Sequence, residues 1–568
     1  MAGGLLQLVG RGAQDQLVTG NPSFTHFRSV YKRHTDFAME HFRLYFKTTI
    51  LSYPSSGTLT MRTKVERFAQ LINDCYLSVT LPDIYSPVVP LGSNPVPSGF
   101  NPNSTAIPYN FQWVRNIGYN MINYVAVIIN GQEIVRHTGE WMKLYANLQF
   151  DSNKRAIIDK MVGNVPELYD PANANGRMNQ YPCAITTATT KAQASIPGRV
   201  LQIPLHFWFC ESVGKSLPLV ALQYSEVEIV VELKNMYDLF TTIDVNPINS
   251  TYGKRVAPDT SNGLFQMSKF LSPPSYDATT TAIPDLRTWN LNPYIEANYI
   301  FVSDEEMGYI ARTDHSFIIK QVDVKIAGKQ YGASNDIELV MRNLCTRIVW
   351  VFQRDDLLND YDNYTNWINP NSAPYNIGDL SGAGTFMYSS GSLLPANVSQ
   401  KDILLESNVI LDTQERFATK QTEFFTEIQP YRFTTGLPIP GIYSYSFQLD
   451  TDEQPSGSLN GSMFNKTILR NTIVTPPLIN PGNIPAGAGQ NQFCVLKSTA
   501  SSPNPTVVNP LAKDQYGNLL YKPDQIITVL RKSPNSAVYQ YTFNVRAYTE
   551  SYNFIRIIGG IGNVVFSS

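Results

Sequence analysis

Apolar and polar residues alternate along much of the chain, and a period of two predicts strands half buried against a core. Tyr124–Ile129 and Gln132–Arg136 flank Asn130-Gly131. Asn-Gly supplies the two positive φ angles of a type I′ turn, so a β-hairpin is expected there. Strands are also expected over Val227–Leu233, Ser316–Ile326, Thr346–Gln353, Tyr443–Leu449, Gln525–Leu530 and Val538–Tyr548. In the last of these, Tyr539, Tyr541, Phe543 and Val545 share one face by alternation. Helical periodicity is rare. Glu140–Phe150 puts Trp141, Leu144, Tyr145 and Leu148 on one face, and Ser152 is placed to cap a second helix through Met161. A third, Asp304–Arg312, opens with three carboxylates that suit the positive end of its dipole. Many strands with few short helices predict an all-β chain of antiparallel sandwiches rather than βαβ units.

Long Pro/Gly/Ser/Asn segments separate the strand blocks: Pro82–Pro108, Tyr169–Pro197, Pro247–Pro293, Asn359–Ser399 and Thr475–Pro510. They read as loops that decorate barrels and carry surface chemistry. The chain has 568 residues, more than one core accommodates, and two β domains of roughly 200–250 residues would nearly fill it. A boundary is expected near Ser303–Asp314. It divides the chain into an N-terminal arm (1–24), a first β domain (25–303), a linker helix (304–314) and a second β domain (315–568). Both halves open with a His-containing extended run, His41–Phe46 and His315–Ile319, which alone does not establish a repeat.

Charged residues make up 16% of the chain, against about a quarter in typical domains, while Tyr (32) and Phe (28) are plentiful. Low charge with many aromatics suits extensive contact with other protein. The formal net charge of −2 points to no polyanion, so direct genome binding is not expected. Five Cys without a C-x-x-C pair argue against a disulfide framework or a zinc knuckle. Cys75, Cys183, Cys210, Cys345 and Cys494 are read as small buried apolar residues in a reducing compartment. Met1–Gly12 lacks the basic region and apolar length of a secretory signal, and Ala2 excludes the N-myristoylation pattern. The most apolar stretch, Leu217–Leu233, is interrupted by Glu226, Glu228 and Glu232, so a soluble chain is expected.

Catalytic signatures are missing from the sequence: no P-loop, H-E-x-x-H, G-x-S-x-G or G-x-G-x-x-G. His26, His34, His41, His137, His206 and His315 lack the clustered spacing of a metal site. His206-Phe-Trp-Phe-Cys210 places a His near a Cys, as a nucleophile pair would require. A buried aromatic strand with a hydrogen-bonded His is the preferred reading. No enzyme, cofactor or metal is therefore expected. Six N-x-[ST] sequons, at Asn103, Asn249, Asn363, Asn397, Asn460 and Asn465, are candidate glycosylation sites in number close to chance for an Asn-rich chain. Gln454-Pro455-Ser456-Gly457 reads as a tight structural turn.

A series of blocks runs in order along the chain, beginning with Met1–Val9, Gly12–Asp15, Thr19–Pro22, Thr25–Phe27, Val30–Thr35 and Phe37–Glu40. It continues with the hairpin and Arg136–Trp141, then Leu217–Val227. Asn298–Glu306, Trp350–Arg354, Tyr445–Phe447, Gln454–Asn460 and the tail from Tyr548 to Gly562 complete the series. In this order the blocks resemble the major capsid proteins of the nucleocytoplasmic large DNA viruses of eukaryotes, although family members more often carry His at the position of Ser225.

The resemblance implies two tandem eight-stranded antiparallel jelly-roll barrels with long decorated loops and a few short helices. It implies a structural protein that homotrimerises into pseudo-hexagonal capsomers, which tile the icosahedral shell of a large double-stranded DNA virus. Expected partners are further copies of itself, minor capsid and penton proteins, and an internal membrane beneath the shell. The expected location is the virion capsid, assembled in the host cytoplasm. Arg28, Lys32 and Arg33 lie in a basic segment, His26–Lys47, read either as a solvated face or as an inner-face patch toward an anionic layer. A jelly-roll carbohydrate-binding or adhesion protein is the alternative reading, since the same fold makes lectins. A β-sandwich glycoside hydrolase would need two facing carboxylates, and no acidic pair in the sequence announces one.

Overall fold

In the computed structural model of the chain, the alternating segments become sixteen main strands in four sheets. The structure describes residues 3–29, 31–47, 52–54, 56–86, 110–177, 181–182, 184, 193–243, 255–258, 266–273, 288–332, 334–355, 361–366, 402–450, 454–474, 492–496, 507–508, 515–516, 526–531 and 542–566. The first eight strands are β1 (Phe37–Tyr45), β2 (Leu59–Lys64), β3 (Leu71–Leu81), β4 (Ile122–Ile129), β5 (Gln132–Thr138), β6 (Arg199–Pro204), β7 (Val227–Leu233) and β8 (Tyr294–Val302). The next eight are β9 (His315–Gln330), β10 (Asn335–Leu339), β11 (Leu344–Arg354), β12 (Leu404–Leu411), β13 (Gln414–Glu415), β14 (Ile442–Ser446), β15 (Thr467–Ile473) and β16 (Phe543–Ile558), and a short β17 (Ile561–Val564) folds back on β16.

Sheet order shows a repeat that the sequence does not. The first half forms β1-β8-β3-β6 and β2-β7-β4-β5. The second forms β9-β16-β11-β14 and β10-β15-β12-β13, the same order advanced by eight. Neighbours pair antiparallel throughout, and two such facing sheets make a jelly roll. Each barrel has its own core. Leu77, Val79, Ile229 and Ile295 contribute to the first, and Ile348, Trp350, Phe352 and Leu469 to the second.

Local chemistry explains the elements. Asn130 and Gly131 sit at φ +52° and +78°, as the β4–β5 turn requires. Phe543 and Val545 are buried in the second core as alternation predicts, whereas Tyr539 and Tyr541 lie outside the described residues. Among the described residues the longer helices are α1 (Gly3–Val9), α2 (Gly139–Gln149), α3 (Ser152–Met161) and α4 (Asp304–Arg312), with several shorter turns of helix besides.

Four details differ from the sequence reading. Asp151, not Ser152, caps α3, because its carboxylate accepts from Lys154 N and leaves Ser152 as the first helical residue. The segment after β6 is no strand: His206 takes φ +50°, and Trp208–Cys210 is a turn of 3₁₀ helix. Cys75 and Cys345 are buried, but Cys210 at the end of that turn is only half buried. The Tyr443–Leu449 run ends as a strand at Ser446, with one further backbone bond from Phe447 N to Thr346 O at 2.8 Å, and the Ser446 hydroxyl donates to Gln448 O. Cys183, the Cys494 side chain and most of the five long loops lie outside the described residues.

Candidate functional site

A chain of two barrels offers two kinds of site: the seam that joins the barrels, and the surfaces left for other chains. The seam begins with β11. Its odd-numbered Val349 and Val351 point away from the second core, so both faces of the strand are buried. They meet α2, whose Thr138 cap accepts from Trp141 N at 3.1 Å. Trp141, Leu144, Tyr145 and Leu148, the four residues placed together by helical spacing, pack there with Tyr364, Ile442 and Tyr548. Burying each of the large side chains stabilises by about 2 kcal/mol.

Charged groups fill the rest of the seam. Glu140, in the first turn of α2, accepts from Arg546 Nε at 2.5 Å and Nη2 at 2.8 Å. It also accepts from the hydroxyls of Tyr548 at 2.5 Å and Tyr364 at 2.7 Å. Burial pushes its carboxyl up, but Arg546 and Lys143 outweigh that and hold it down at about 2. One turn on, Lys143 donates to Asp362 at 2.5 Å, and Asn116 and Asn120 donate to the same carboxylate. Burial pushes Asp362 up as well, yet Lys143 and these amides bring it below the ordinary value.

A second charged group joins β9, β11 and β16 to the turn after β6. Glu211 pairs with Lys215 at 2.5 Å and Lys320 at 3.4 Å, while Glu550 pairs with Arg347 and lies 3.9 Å from Lys320. Direct hydrogen bonds reinforce it: Gln321 donates to Ile134 O at 2.8 Å, and Gly436 N to Leu148 O at 2.9 Å. The C-terminal turn reaches back too. Gly562 N donates to the Ser225 hydroxyl at 3.2 Å, and Tyr224 N to Gly560 O at 3.0 Å.

The outward features are simpler. Every described residue from Gly3 to His41 is exposed, including Leu5, Leu17, Phe24, Phe27, Tyr31 and Phe37. Arg28, Lys32 and Arg33 are exposed in the same stretch, between the arm and β1. Beyond it, β1 forms an open sheet edge, a feature that proteins normally cover or pair. Among the sequons, Asn460 and Asn465 are exposed and Asn363 is half buried, its Oδ1 accepting from the Thr365 hydroxyl at 2.8 Å. Asn103, Asn249 and Asn397 lie outside the described residues. In the Gln454, Pro455, Ser456, Gly457 turn, the Ser456 hydroxyl donates to Asp450 O at 2.6 Å and accepts from Asp450 N at 2.9 Å.

The His206–Cys210 sequence pair does not form a reactive couple. His206 Nε2 bonds the Tyr119 hydroxyl at 2.8 Å, and its ring is surrounded by Tyr119, Tyr145 and Phe150. Burial lowers His206 to about 3 and pushes the Cys210 thiol well up, so neither imidazolium nor thiolate is favoured. Among the described residues, no three of His, Cys, Asp and Glu are grouped to hold a metal. Among the same residues, no helix is long and apolar enough to cross a membrane.

The seam charges were not foreseen from the sequence. A charge at alternate strand positions ordinarily marks the solvent face, and nothing local to Arg347, Arg546 or Glu550 distinguishes a second protein layer from water.

Known proteins resemble the chain over nearly its whole length. A family model described as the major capsid protein N-terminus matches residues 25–268, and one described as the large eukaryotic DNA virus major capsid protein matches 306–500. The major capsid protein of Phaeocystis pouchetii virus is 26% identical, covering 83% of this chain and 92% of its own. That of Paramecium bursaria Chlorella virus 1 is 25% identical, and the match covers 100% of both chains. Among solved structures, PBCV-1 VP54 fitted into a reconstruction of the virophage Sputnik has a TM-score of 0.59 at 19% identity, over 96% of this chain and 100% of that one.

Proposed function

The chain belongs to the major capsid proteins of large eukaryotic DNA viruses, and from that premise we propose that three copies assemble into one pseudo-hexagonal capsomer that tiles an icosahedral shell. The observation that carries the reading is the repeated strand order, locked across a buried seam. Two like barrels fixed in one body supply two similar corners, so a threefold arrangement offers six. Residues 25–303 and 315–568 are the two barrels in this reading, with 1–24 as an arm and 304–314 as the link between them. The chain works without chemistry: the seam carboxylates Glu140, Asp362, Glu211 and Glu550 are all engaged in ion pairs.

The exposed apolar arm and the open edge of β1 suit contact with other chains. Neighbouring trimers, minor capsid proteins and penton proteins are the proposed partners. The exposed Arg28, Lys32 and Arg33 suit an anionic layer, such as an internal membrane, on the inner face. Assembly takes place in the host cytoplasm, with no direct contact to the genome. Asn460 and Asn465 are the better placed of the described sequons for a glycan, and intact-mass measurement tests that directly.

Light scattering and negative-stain imaging of the purified protein test the central claim. A stable trimer of hexagonal outline is expected, and a compact monomer at all concentrations overturns it. Reversing the charges of Arg28, Lys32 and Arg33 is expected to weaken association with anionic vesicles or minor capsid proteins. Unchanged association with both removes the inner-face role.

A further inference from the structure

Where the second charged group crosses the seam, a small cavity lies between the barrels. His137, Trp208 and Glu211 of the first barrel face Lys320 and Glu550 of the second around it. It leaves about 10 Å³ for the centre of a water-sized sphere, close to what one buried water needs. Two of its wall atoms lack a hydrogen-bond partner: His137 Nδ1 and Trp208 Nε1. Both side chains are deeply buried, at 5% and 3% exposure. A buried polar group normally finds a partner in protein or ordered water, and none of the neighbouring side chains supplies one here.

The wall chemistry selects the occupant. Carboxylates of Glu211 and Glu550 disfavour an anion, and Lys320, with Lys215 and Arg347 behind it, disfavours a cation. Water alone can accept from the Trp208 indole and donate to a carboxylate at the same time. It also serves His137 in either neutral tautomer, since it can accept from Nδ1–H or donate to bare Nδ1.

We propose that this cavity holds one ordered water that bridges the two barrels, accepting from Trp208 Nε1, bonding His137 Nδ1 and donating to Glu211 or Glu550. The long contacts of Lys320 to both carboxylates, 3.4 and 3.9 Å, leave acceptor capacity on the oxygens for it. The water then completes the polar junction and fixes the approach of β9 to β5.

A map of the full-length protein at a resolution that shows waters tests the site. One peak is expected within about 2.7–3.2 Å of both nitrogens. An empty cavity overturns the proposal, as does an anomalous bromide peak there after halide exchange, which would assign an anion. Trp208→Phe removes one donor without adding bulk. It is expected to lower the occupancy of the peak and to speed hydrogen exchange of the Ile134 and Gln321 amides relative to the two cores. Full occupancy with unchanged exchange at these amides overturns the bridging role. Should that variant fail to fold, the map of the unsubstituted protein decides.

Discussion

Glu140→Gln is the sharpest perturbation of the seam. The substitution keeps shape and size but removes the charge that holds Arg546, whose guanidinium is mostly buried and bonded to both Glu140 oxygens. Gln353 Oε1, at 3.1 Å, and the amide oxygen of the new side chain would be its acceptors, both of them neutral. Breaking one side of a buried pair costs about 3–5 kcal/mol, because the surviving charge is left uncompensated. A kcal/mol lowers Tm by about 2–4 °C in a domain of this size, so a fall of about 10 °C is expected in scanning calorimetry. Glu140→Gln with Arg546→Met should recover most of the loss, since the orphaned charge is gone and the amide can accept from one of the Tyr364 and Tyr548 hydroxyls and donate to the other. The variant should also lose an acid limb. Because the folded carboxyl is held down at about 2, its contribution is present above the ordinary 4.5 and disappears as pH falls through 2. A Tm within 2 °C of the parent, or a double variant no better than the single, would refute the reasoning.

Three further outcomes are expected. Burial lowers His137 to about 4, against the smaller opposing pull of Glu550 and Glu211, and lowers His206 to about 3. Both are neutral in the fold, so stability is complete above 6.5 and is lost as pH falls toward 4. His137 accounts for about 3 kcal/mol of that at about 1.4 kcal/mol per pH unit, and denaturant titrations of His137→Gln should show a shallower slope in this window. Gly441→Ala should destabilise by at least about 2 kcal/mol, since its φ is +89° and a Cβ would stand 2.2 Å from Tyr364 O; an unchanged urea midpoint would contradict the packing. Removing residues 1–36, whose described members are all exposed, should leave Tm unchanged while reducing assembly in sedimentation, and a large fall in Tm would mean that the arm packs on its own chain.

How far the sequence revealed this architecture follows from the range over which each signal acts. The β4–β5 hairpin and the helices α2 and α4 depend on contacts a few residues apart, and the Asn-Gly pair, the apolar stripe and the acidic first turn announced them. The α3 cap was misplaced by one residue because Asp151 and Ser152 are both good caps, and only backbone geometry separates them. The repeat was only hinted at, by the His-containing runs His41–Phe46 and His315–Ile319 that begin in β1 and β9, because it lies in pairing order. β1 meets β8 across more than 240 residues, a pairing that no local pattern announces. The apolar side of the seam was half legible, as Trp141, Leu144, Tyr145 and Leu148 were seen as a face but without the surface they meet. Its charged side was not legible, since burial of Arg347 or Glu550 depends on a strand from the other half of the chain.

That charged side also bears on why the seam is built as it is. An apolar seam of the same area would hold the barrels as strongly, and replacing a buried pair by packed apolar groups is often neutral or stabilising. Apolar contact, however, is tolerant of sliding, whereas Glu140 between Arg546, Tyr548 and Tyr364 is satisfied in one relative position. A tile must present its two barrels at a constant angle, or errors accumulate from one neighbour to the next. The double variant Glu140→Gln with Arg546→Met separates strength from orientation. Near-parental stability with a wider spread of inter-barrel angles in single-particle classes is expected. If the spread stays at the parental width, orientation rests on the apolar packing of α2 against β11, and the ion pair contributes stability alone.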